Sequence, residues 1–170
     1  MDGVHPPAVG TFVVIALLTV DKALLVVHGL SAGVLAGASV HNALLSWRDL
    51  VSRRPTNARL QRLYPRVVAG AWLLTFGLGL VIYPPFRVTV RAEVFDVAMP
   101  LATGLFEMKE HWLALATLVL LYLVPSSAFI GRAGPPPVDR ALYHLATIGV
   151  GAVVVYATII GLTLAAIAPI

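Results

Sequence analysis

Apolar positions gather into four long blocks, and the polar positions between them fall into short clusters of charge and proline. The blocks run over residues 23–47, 67–83, 111–130 and 141–168. Within each block the apolar positions do not alternate, so they predict helices rather than strands. Each block suits a hydrocarbon layer about 30 Å thick, which asks for about 20 residues of helix. In lipid the backbone must satisfy its own hydrogen bonds, which leaves helices or closed barrels. The expected fold is therefore all-α, a four-transmembrane-helix bundle forming one membrane domain over residues 1–170.

The segments between the blocks refine this picture. Residues 8–20 are apolar but too short to span alone, and Asp21 and Lys22 follow them. One helix from 8 to 47 would be about 60 Å long, so the first block is expected to project beyond the membrane rather than break near Asp21. The projecting part is expected to pack on the segment over residues 86–111. In that segment residues 88–97 alternate and suggest a short strand, and a helix is expected to start after Pro100. Pro65, Pro84 and Pro85 are expected to bound the second span, and Pro125 to kink the third.

Composition agrees with the pattern. The chain is 59% hydrophobic and 12% charged, where soluble domains carry about a quarter charged residues. The net charge of +4 comes largely from Arg48, Arg53, Arg54, Arg59, Arg62 and Arg66, which fall between the first two blocks. The positive-inside rule reads that loop as cytoplasmic, with both termini outside and an extended outer segment between helices 2 and 3. An integral protein of a bacterial inner membrane is the expected setting, with lipid as partner and no role for nucleic acid. MDGVHPPAVG carries no Lys or Arg before its apolar stretch, unlike a secretory signal. The absence of cysteine excludes disulfides, iron–sulfur ligation, thiolate haem ligation and covalent haem attachment.

The chemistry lies in the histidines. His28 and His41 interrupt the first block, His111 opens the third and His144 lies near the start of the fourth. Ionisable groups inside spans are rare and usually functional. Counted along the spans, His28 and His111 fall near the outer boundary, and His41 and His144 near the inner one. Two level pairs on separate helices suit two bis-histidine haems b, since bundle cofactor sites use side chains on facing helices. Gly29, Gly33 and Gly37 form a four-residue ladder continued by His41, open to a porphyrin or to close helix packing. Arg87, Arg91, Lys22 and Lys109 outside, and Arg48, Arg66, Arg132 and Arg140 inside, are the cations available to propionates. The thirteen-residue step from His28 to His41 turns the second about 140° from the first.

Four spans with two histidines a little over a dozen residues apart on one helix resemble the membrane b-type cytochromes. These include cytochrome b561, the cytochrome b of quinol-oxidising complexes and the anchors of succinate dehydrogenase. The resemblance implies electron transfer across the bilayer, with a quinone and a redox protein as partners. Other readings stay open. Each histidine alone suits an ordinary interfacial residue. Glu107, Glu110 and His111 form an alternative site for a divalent metal, or a solvated helix start whose acids pair with Lys22 or Arg91. Asp96 has no evident partner. A scaffold subunit of a larger complex, or a homo-oligomer, is the reading without catalysis.

Overall fold

In the computed structural model the chain is described over residues 9–52, 57–130 and 139–167, with side chains from Lys22 onward in the first stretch. The described residues are helical almost throughout, and no strand occurs among them. Four long helices make the bundle: α1 (Val9–Ser52), α2 (Ala58–Phe86), α3 (Pro100–Ser127) and α4 (Arg140–Ile167). Each contains a stretch long and apolar enough to cross a membrane. Their starts follow from local chemistry. The Asn57 side chain accepts from the backbone N–H groups of Arg59 and Leu60, both at 3.1 Å. Asp139 does the same for Ala141 and Leu142. Pro100 occupies the first turn of α3, where a missing N–H costs nothing.

α1 is one unbroken helix of 44 residues, about 66 Å long. It does not break at Asp21, as the length argument expected. The packing of residues 8–20 and the roles of Arg53, Arg54 and Arg132 lie outside the described side chains.

α1 packs on α2 and on α4; α3 packs on α4 and, more lightly, on α2. α1 and α3 are therefore diagonal. The main core joins Leu35 of α1, Val68 and Trp72 of α2, Leu120 and Leu123 of α3, and Val150 and Val154 of α4. At Gly151 of α4 an added Cβ would lie 2.8 Å from the Ala43 Cβ and 3.2 Å from the Ser39 carbonyl oxygen. That glycine sets how closely α1 and α4 approach.

The prolines correct two expectations. α2 runs through Pro65 and through Pro84-Pro85 instead of ending at them. Pro65 cannot donate to the carbonyl of Gln61 four residues earlier. The Tyr143 hydroxyl of α4 donates to that carbonyl instead, at 3.2 Å, so a second helix repairs the gap. Beyond Pro85 the chain widens into a π-helical segment, Arg87–Phe95, where a strand was expected over 88–97. Two successive residues without N–H strip partners from the preceding turn. The Arg87 N–H reaches the carbonyls of Pro84 and Tyr83. The buried residues of this segment, Val90 and Phe95, are five apart, as a wider turn requires. A short turn, Asp96–Ala98, leads to α3, which starts at Pro100 as expected. Pro125 lies inside α3, two residues before its end.

Candidate functional site

The register between helices can be read from their contacts. On α2, Gly79 lies against the His28 ring, with an added Cβ 3.4 Å from its Cε1. Thr75 Oγ1 donates to Ser31 Oγ at 3.0 Å, and the Tyr64 hydroxyl pairs with His41 Nδ1. On α3, Phe106 stacks on Tyr83 of α2, ring centroids 6.2 Å apart. Stepping four residues along both antiparallel helices brings Gly79 level with residue 110. His28 and His111 thus share a depth within about one turn, as expected.

Depth is not enough for ligation, because the faces differ. His28 points into the α1–α2 contact. His111 is exposed. It stands two residues from half-buried Lys109 and from half-buried Leu113, so it faces about 160° away from the inward stripe of α3. Its Nδ1–H donates to the Glu107 carbonyl at 2.7 Å, which leaves Nε2 turned outward.

The other pair differs in face and in level. His41 is exposed, its ring set edge-on against Tyr64 at 4.7 Å. His144 is buried, with Nδ1 unpartnered, and the charges that act on it are Asp49 and Arg140. Gly151 lies beside Ser39 and Ala43, so His41 is level with Gly151. His144 is seven residues nearer the arginine loop, about 10 Å. The structure therefore brings neither His28 and His111 nor His41 and His144 face to face.

The glycine ladder also has an unexpected setting. Gly29, Gly33, Gly37 and His41 follow a four-residue ladder that turns about 120° around α1 from end to end, and a Cβ added at any of the three glycines would meet nothing within 4 Å. Among the described residues the three glycines line an open side of α1 rather than a helix contact.

The outer acidic cluster is engaged in ion pairs. Glu107 accepts from Arg91 at 2.5 Å, Glu110 pairs with Lys109 at 3.0 Å, and Asp96 lies 3.7 Å from Arg91. Thr103 Oγ1 donates to Asp96 at 2.8 Å, so Asp96 has the partners the sequence did not reveal. Among the described residues no three His, Cys, Asp or Glu side chains gather to hold a metal. Glu107 and Glu110 instead lie within α3, paired with Arg91 and Lys109. The Phe106 ring lies under the Lys109 ammonium at 4.6 Å and beside Phe86. Arg91 and Lys109 are thus already committed to carboxylates.

The arginine-loop end holds a feature outside the residues that the sequence singles out. Ser39, Asn42, Ser46 and Asp49 are all buried. Their spacing of three, four and three puts them on the inward stripe of α1. Gln61, Tyr143, His144 and Thr147 are buried at the same end. The signal was present as a polar heptad stripe inside an apolar block. It was overlooked because each small polar residue is ordinary when taken alone.

No family model, curated protein or solved structure matches this chain.

Proposed function

We propose that the chain is a membrane electron-transfer subunit that carries one haem b on the outer face of α1, with His41 as axial ligand. The observation that supports this is the bare ladder Gly29–Gly33–Gly37 leading along one helix to an exposed imidazole. A porphyrin needs a flat apolar bed and a nitrogen aimed at iron, and this face offers both. Three glycines without neighbours leave the backbone open to close approach. Tyr64 meets His41 at Nδ1, which orients the ring and keeps Nε2 free, the usual arrangement of a ligating histidine. Bound there, haem supplies reversible one-electron chemistry. A quinone or a redox protein is the electron partner. The arginine-rich loop lies on the cytoplasmic side, following the positive-inside rule.

The test is a haem titration of the purified protein followed in the Soret band. One saturable site is expected. His41→Ala should abolish it, and Tyr64→Phe should weaken it by about 10-fold, as loss of an orienting partner does. His28→Ala and His144→Ala should leave it intact, with far-UV circular dichroism confirming the fold of each. Absence of saturable binding, or binding indifferent to His41→Ala, overturns the proposal.

A further inference from the structure

Independently of haem, the arginine-loop end of the bundle holds polar groups that the protein leaves without partners. Ser46 is 1% exposed, Ser39 2%, Gln61 2% and His144 7%. Ser39 Oγ, Ser46 Oγ, both side-chain amide atoms of Gln61 and His144 Nδ1 have no hydrogen-bond partner. Leaving buried groups unsatisfied costs about 1–3 kcal/mol each, and in lipid no solvent compensates. Native proteins satisfy such groups with protein atoms or with bound water.

The groups share one end of the bundle. Tyr143 on α4 donates to the Gln61 carbonyl of α2. Extending the His41–Tyr64 register by three residues sets Gln61 beside residues 44–46 of α1. Asp49 of α1 is close enough to act on His144 of α4. Ser39 lies seven residues deeper than Ser46, about 10 Å. Beyond Ser39 the interior turns apolar, with Leu35, Val68, Trp72, Leu120, Val150 and Val154 closing the bundle.

We propose that these side chains enclose a chamber of ordered water, open toward the arginine-loop end and stopped by the apolar core, in which His144 exchanges protons with that side. Water is the ligand these groups call for, since it donates and accepts and so serves two hydroxyls, an amide and an imidazole together. His144 is the acid–base group. It takes a proton at Nδ1 from a chamber water, which is replenished from hydronium at the loop side; release runs in reverse. The charged and titratable groups around it are Asp49 on α1, Arg140 and Tyr143 on α4, and Tyr122 on α3, which acts on Tyr143. The chamber reaches from Asp49 to Ser39, so it forms an inlet rather than a full path.

Nitrogen-15 NMR of the labelled protein in nanodiscs tests this between pH 5 and 9. The expected result is that His144 titrates with bath pH and that the Gln61 side-chain amide shows exchange peaks with water. Ser46→Val should remove the Gln61 exchange peak while leaving the far-UV circular dichroism unchanged. A His144 signal unchanged across the range, together with a Gln61 amide that shows no exchange peak, overturns the proposal. Neither readout depends on haem binding.

Discussion

At the scale of single residues, much of this molecule follows from where a group is missing. Pro65 lacks an N–H, so the Gln61 carbonyl turns to Tyr143. Tyr143→Phe should therefore cost about 1 kcal/mol. The cost should fall by half or more in a Pro65→Ala background, where the alanine N–H can donate to that carbonyl. A double-mutant cycle on thermal unfolding in one detergent would show the coupling, and purely additive effects would deny the repair. Glycines make the same argument through missing volume. Gly151→Ala puts a Cβ 2.8 Å from the Ala43 Cβ and should destabilise by about 1–3 kcal/mol, as overpacking does. Gly33→Ala meets open space and should stabilise the helix by about 0.5–1 kcal/mol. Equal effects at the two sites would mean that the ladder is covered within the chain.

At the scale of elements, hydropathy read the existence of the four spans correctly, because a run of apolar residues in lipid has few other solutions. It read the connection after α2 wrongly. Residues 88–97 alternate as a strand would, yet Pro84 and Pro85 sit inside a helix already under way, and widening to a π-helix keeps its backbone bonded. Tertiary packing of Val90 and Phe95 outweighed the local β preference. That packing, rather than the ion pairs above it, should hold the outer end together. Arg91→Ala removes exposed pairs to Glu107 and Asp96 and should cost no more than about 1 kcal/mol, less at high salt. Phe106→Ala empties a buried aromatic site and should cost about 3–5 kcal/mol. The reverse order would make the charged network the main fastening.

At the scale of the whole molecule, depth was legible and direction was not. Counting residues set His28 and His111 at one level, and the register through Gly79 and Phe106 agrees. The count could not say that His28 faces α2 while His111 faces away, since the rotation of a span is set by its neighbours. The inner pair failed on level too, because α1 and α4 meet at Gly151 with a stagger of about 10 Å that no span boundary reveals. The buried stripe Ser39–Asn42–Ser46–Asp49 was in plain view, but its meaning needed Gln61 and His144 from other helices. What results is a bundle with a polar end at the arginine loop, a braced aromatic opposite end and an open glycine ladder ending at His41.

That ladder carries the functional account, and a pyridine haemochrome count on the purified protein tests it most directly. The account predicts one haem b per chain, lost in His41→Ala and kept in His28→Ala. Two haems per chain, or one that survives His41→Ala, would contradict it and return the ligands to the bundle interior.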